Sequence, residues 1–300
     1  MNGKAKILTV RFLGYLGGFL LFYAPASLVQ RLLISVFHLP GNADIHAVCS
    51  RVALTNLASG KGISVISIVG IVFALVFLSA FFLGPLFCGK LCPAGAFPEY
   101  LSRLIPEKFQ VKLQSALNPA PVRYGMLAGF LIAPVMGYSV VCAYCNYTMF
   151  SRLTLSVLSL DVGILTSTNV ITIFFWLIVL GAFTKGGRGY CSYICPVGAA
   201  QSLLHFLGAK FRFTYKLAFD PHRCVSCGLC AKECPTLALA VKDDGQLSYQ
   251  RISCLSCGQC IQLCPKKALV YKNGADGWRR AAGDEKLLQP QPILNESASS

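Results

Sequence analysis

Apolar and polar positions divide the chain unevenly. Residues 12–29, 63–87, 122–141 and 169–183 are long apolar stretches, and VGILTST before the last can extend it. Each approaches the ~20 apolar residues that a helix needs to cross a bilayer. The run LTLSVLSL at 153–160 is too short to span and reads as an interfacial or re-entrant piece. Beyond residue 215 the chain turns more polar. The pieces LALAV (237–241) and ALVYK (268–272) there read as short strands. After 275 the apolar pattern stops, and a Pro-, Ser- and Ala-rich end reads as a disordered tail. The pattern predicts an α-helical membrane domain over 1–214, with four transmembrane helices as two hairpins. A small α+β domain over 215–275 and a tail over 276–300 follow.

Composition supports a membrane protein. Of 300 residues, 55% are hydrophobic and only 13% charged, and the mean hydropathy is +0.59; a soluble domain carries about 25% charged residues. The formal charge of +15 does not imply nucleic acid, because its distribution follows topology. With the N-terminus and C-terminus both inside, all Lys and Arg except Arg31, Arg51, Lys61 and Arg152 fall on one side, as the positive-inside rule requires. The basic start, apolar stretch and Ala24-Pro25-Ala26 also fit a signal peptide. A retained helix is the preferred reading because the other spans come as hairpins.

The second and fourth stretches lead into the same pattern. Phe87, Cys88, Cys92, Pro93, Gly95 and Ala96 recur as Tyr190, Cys191, Cys195, Pro196, Gly198 and Ala199. On a helix, positions i and i+4 share a face, so each C-x3-C-P pair aims two thiols one way. Two pairs at one membrane face make a four-thiolate set, the complement of a [4Fe–4S] cluster. A redox dithiol and buried inert cysteines are the alternatives.

The polar segment holds two complete C-x2-C-x2-C-x3-C-P runs, Cys224, Cys227, Cys230, Cys234, Pro235 and Cys254, Cys257, Cys260, Cys264, Pro265. This is the bacterial ferredoxin spacing, in which the fourth Cys of each run serves the other cluster. Cys224, Cys227, Cys230 and Cys264 are thus predicted to hold one [4Fe–4S] cluster, and Cys254, Cys257, Cys260 and Cys234 the second. Gly228 and Gly258 relieve crowding near the inorganic sulfides. Disulfides are disfavoured on a reducing cytoplasmic side, and structural zinc uses other spacings.

Three cysteines remain. Cys49, near His46, and the pair Cys142 and Cys145 fall at the outer ends of the predicted spans. A disulfide, buried thiols and a cofactor site are all open for them. No C-x-x-C is followed by His, so no c-type haem is expected. No G-x-G-x-x-G run supports a nucleotide site. Gln30 and Arg31 are the polar pair near a span end.

Together these features resemble the NapH-like membrane ferredoxin-type family, to which the MauN type is similar, over nearly the whole chain to about Lys272. The resemblance implies a multi-pass protein of the cell inner membrane with its ferredoxin domain cytoplasmic. It implies an electron-transfer subunit of a quinol dehydrogenase rather than a stand-alone enzyme. Electrons would come from the quinone pool, with quinol as substrate, through iron–sulfur centres. They would go toward a periplasmic ferredoxin-type protein and a multihaem cytochrome or reductase. Cys142 and Cys145 depart from the family's pattern. The alternative function is a redox assembly or maturation factor for a respiratory oxidase or other metalloenzyme. A redox sensor is weaker, since no output domain follows.

Overall fold

A computed structural model describes residues 3–23, 26–38, 49–64, 67–113, 117–137, 144–242, 246–274 and 278. Cys142, His46 and, apart from Trp278, the predicted tail lie outside the described residues. Helix α1 (Gly3–Phe22) is the one described helix both long and apolar enough to cross a membrane. It starts earlier and stops sooner than the apolar run 12–29, which contains Pro25, a residue without an amide proton. Helices α2 (Leu28–Phe37) and α3 (Ser50–Ala58) follow. Next comes α4 (Ile68–Leu83), capped by the Ser67 hydroxyl accepting from the Gly70 amide at 3.1 Å. Its 16 residues rise about 24 Å, so the helix is shorter than the stretch 63–87.

A π-helical turn (Phe87–Leu91) and α5 (Pro93–Ser102) complete the first half. The second half repeats the order. Helix α6 (Pro119–Ile132) starts with the Asn118 side chain accepting from the Ala120 amide and with Pro119 in its first turn. Helix α7 (Asn146–Ser159) absorbs most of the 153–160 run. Helix α8 (Ser167–Ile173) continues as a π-helix over Phe174–Ala182, and α9 (Gly189–Tyr193) and α10 (Pro196–Gly208) follow. One apolar cluster joins Leu33, Leu54, Ile68, Val72, Val76 and Phe77; a second gathers Tyr23, Ala94, Met149, Trp176 and Tyr190.

The C-terminal region has two small antiparallel sheets. Strand β1 (Lys216–Phe219) pairs with β4 (Leu269–Lys272), Lys216 opposite Lys272. Strand β2 (Leu239–Val241) pairs with β3 (Leu247–Tyr249), Leu239 opposite Tyr249. Short helices α11 (Leu229–Lys232) and α12 (Gln259–Leu263) follow the cysteine loops. Leu217, Leu239, Leu269 and Trp278 form the core. This region docks on the helices. Tyr271 donates to the Leu83 carbonyl at 2.7 Å, Arg123 to the Ile252 carbonyl at 2.6 Å, and the Tyr215 amide to the Phe82 carbonyl at 2.8 Å.

Candidate iron–sulfur sites

The two ferredoxin-spaced loops fold alike. Gly228 and Gly258 adopt φ of 68° and 75°, a left-handed backbone that glycine takes without strain, and each starts its short helix. Each loop therefore wraps a cavity. The first, about 470 Å³, is lined by Cys224, Cys227, Cys230 and Cys264. The second, about 450 Å³, is lined by Cys254, Cys257, Cys260 and Cys234. The fourth cysteine of each run thus lines the other loop's cavity.

Backbone amides point at several sulfurs: Ala238 to Cys234 at 3.3 Å, Ser256 to Cys254 at 3.4 Å and Ala268 to Cys264 at 3.2 Å. Hydrogen bonds to sulfur are among the features that tune a cluster's potential. Burial pushes the thiols of Cys230 and Cys254 up to about 11. Among the described residues no three His, Cys, Asp or Glu side chains gather closely enough to hold a single metal ion. Four cysteines line each of the two cavities. That arrangement suits a cube of iron and sulfide, where each of four irons takes its own cysteine.

A third cavity, about 680 Å³, lies among the helices. Its walls include Cys88, Cys92, Cys191 and Cys195, brought together from the two halves. The pairs do not lie on uninterrupted helices, as the i, i+4 argument assumed. Cys88 sits in the π-helical turn, and Cys92 is the extended residue capping α5. Cys191 sits in α9, and Cys195 caps α10, its sulfur 3.5 Å from the Gly198 amide. Pro93 and Pro196 start the next helices, since proline is tolerated in a first turn. Cys49 and Cys145 line this same cavity. Both are buried beside the C-x3-C-P cysteines, which agrees with the buried-thiol and cofactor-site alternatives.

A 4Fe-4S binding domain model matches the chain twice, over residues 65–112 and 168–214, and a 4Fe-4S dicluster domain model matches 223–269. The double match falls on the two C-x3-C-P segments, and the dicluster match on the two cysteine runs. The chain thus carries 4Fe–4S segments like those of ferredoxin-type proteins. The uncharacterised protein MJ0749 of Methanocaldococcus jannaschii is 32% identical over 52% of this chain and 53% of its own length. Ferredoxin-type protein NapH of Escherichia coli is 28% identical over 61% and 58%. Methylamine utilization ferredoxin-type protein MauN of Methylobacillus flagellatus is 26% identical over 61% and 59%. The chain spans little more than half the length of these curated relatives. No solved structure matches it.

The chain also carries a buried ionic network that motif reading missed. Glu99 of α5 is fully buried. Arg11 meets both its carboxylate oxygens at 2.7 and 3.0 Å, Arg188 one of them at 2.8 Å and Arg103 the other at 3.2 Å. Arg188 also donates to the Cys88 carbonyl at 3.1 Å and to the Tyr15 hydroxyl at 2.9 Å, and Tyr15 donates to the Gly89 carbonyl at 2.7 Å. Arg11 reaches Gln259 of the dicluster region at 2.5 Å. The one available signal was a single acid inside the otherwise uncharged stretch PAGAFPEYLS beside Cys92.

Proposed function

We propose that this iron–sulfur electron-transport protein is a multi-pass membrane protein that oxidises quinol and delivers the electrons to a reductase chain. The observation that carries the reading is adjacency. The helix-embedded cavity and the second ferredoxin cavity share Leu255 as a wall residue. The link is tight: a Cβ on Gly89, next to Cys88, would stand 2.0 Å from the Leu255 carbonyl oxygen and 3.1 Å from the Cys257 Cα. A redox centre among the helices would therefore contact the dicluster region through backbone.

Cys224, Cys227, Cys230 and Cys264 would hold one [4Fe–4S] cluster, and Cys254, Cys257, Cys260 and Cys234 the other. Cys88, Cys92, Cys191 and Cys195 would hold a third centre. Bound clusters supply one-electron chemistry, and the apolar helices keep water from the embedded centre.

Membrane residence rests on the apolar surface. Only 17% of Ala5–Phe22 in α1 is buried, unlike the core helix of a soluble protein. Phe12, Leu13, Leu75, Leu78, Phe174 and Phe175 are all more than half exposed, and apolar surface on this scale marks a membrane or protein contact. Helices α1, α4, α6 and α8 with its π extension are the spans of this reading, with the dicluster region on the cytoplasmic face. A periplasmic ferredoxin-type protein and a multihaem cytochrome or reductase are the proposed partners.

The test is anaerobic EPR of the purified full-length chain on addition of a reduced quinol. The expected result is reduction of the ferredoxin clusters, lost in Cys88→Ser/Cys191→Ser while dithionite still reduces them. Quinol-dependent reduction that survives the double substitution would overturn the proposed route.

A further inference from the structure

The third cavity holds six cysteines, two more than one cubane uses. Cys49 and Cys145 occupy matching places in the two halves. Each is the extended residue immediately before a helix, with φ and ψ of −86° and 107° for Cys49 before α3 and −95° and 113° for Cys145 before α7. Cys92 and Cys195 stand before α5 and α10 in the same conformation. Four helix N-termini therefore meet at one cavity, each beginning with a cysteine. Ser50, Arg51, Asn146, Tyr147, Pro196 and Val197, from the first turns of three of them, share its wall. Free amides and the helix dipole make such ends favourable for anions.

A second observation concerns a charge at the same wall. Arg51 is 7% exposed and lines the cavity, yet among the described residues no carboxylate pairs with it. Its guanidinium lies 4.7 Å from the Phe130 ring centre, and its Nε has no hydrogen-bond partner. A buried cation without an anion is costly. The Arg51 side chain meets the Cys145 thiol, so a thiolate at that wall would supply its counter-charge, while Arg188 is already paired with Glu99.

We propose that Cys49 and Cys145 are ligands of the same centre as Cys88, Cys92, Cys191 and Cys195, each half of the repeat supplying three thiolates to one iron–sulfur centre larger than a single cube. The proposal rests on the reading of the C-x3-C-P cysteines as a centre.

The experiment compares iron content and Mössbauer and EPR spectra of full-length wild type, Cys49→Ser/Cys145→Ser and Cys88→Ser/Cys191→Ser. Wild type is expected to exceed the ~12 irons that three four-iron clusters would give. Cys49→Ser/Cys145→Ser should lower that content and alter the third signal. The two ferredoxin signals should persist and report an intact fold. Unchanged iron and spectra in this variant, with loss only in Cys88→Ser/Cys191→Ser, would overturn the inference and leave the four-cysteine centre standing. Full iron in Cys88→Ser/Cys191→Ser would overturn that earlier reading. Mass spectrometry of wild type, alkylated in denaturant without reductant, covers the remaining case. Cys49 and Cys145 are both expected to be alkylated, and a Cys49–Cys145 disulfide would sink the proposal.

Discussion

Glu99 is out of water with three arginines around it. Burial alone would raise its carboxyl, but the charges of Arg188 and Arg11 outweigh that and hold it at about 2, below the usual 4.5. A carboxyl held lower in the folded chain stabilises it fully above its unfolded value. That contribution is lost as pH falls from about 4.5 toward 2. Glu99→Gln should cost about 3–5 kcal/mol at neutral pH, because Arg11 and Arg188 lose their buried anion. It should also flatten the acid limb of stability, read by thermal unfolding in detergent; an equally steep limb would remove Glu99 as its cause. Cysteine ligation is tested at the same scale. Cys264→Ser should remove the EPR signal of the cluster bounded by Cys224, Cys227 and Cys230. Damage confined to the cluster of Cys254, Cys257 and Cys260 would refute the crossed arrangement. Local spacing is enough to propose those crossed sets, since three cysteines of each come from one short loop. Glu99 was not legible that way, because its partners come from α1, the residue after α5 and the segment before α9.

Elements meet here through glycine. A Cβ on Gly18 of α1 would fall 1.8 Å from the Leu91 carbonyl oxygen, so the helix can lie against the π-helical turn only without a side chain there. Gly89 does the same for the dicluster region. Gly89→Ala should force the turn and the Leu255 loop apart, costing about 1–3 kcal/mol by overpacking and slowing quinol-linked reduction of the ferredoxin clusters in stopped-flow absorbance. Gly125→Ala is the matched control. Gly125 lies in α6 with nothing within 4 Å of a Cβ, so alanine should leave the rate unchanged. Equal slowing in both variants would show that the Gly89 contact is not the link. The repeat was readable at this scale from the two C-x3-C-P segments. The helix ends were not. Apolar runs marked where helices lie, while caps and prolines such as Ser67, Asn118, Pro93 and Pro196 set where they begin.

For the whole molecule, the arrangement predicts opposite readings from reporter fusions. Fusions after Cys92 and after Cys195 should report cytoplasm, and one near Gly60, beyond the end of α3, periplasm. A cytoplasmic reading at Gly60 would rule out the multi-pass arrangement of α1 and α4. The sequence alone determined the chemistry within each segment: two ferredoxin-spaced runs, two C-x3-C-P pairs and apolar stretches between them. These are local properties, because ligand spacing and hydropathy are written over a few residues. Tertiary structure decided which distant segments share a wall. Cys49 and Cys145 read as outer-loop cysteines by position, yet the short helices they precede bring them to the cavity of the other four. Packing of helix ends against one another depends on contacts between residues far apart in the chain, and no local spacing encodes it.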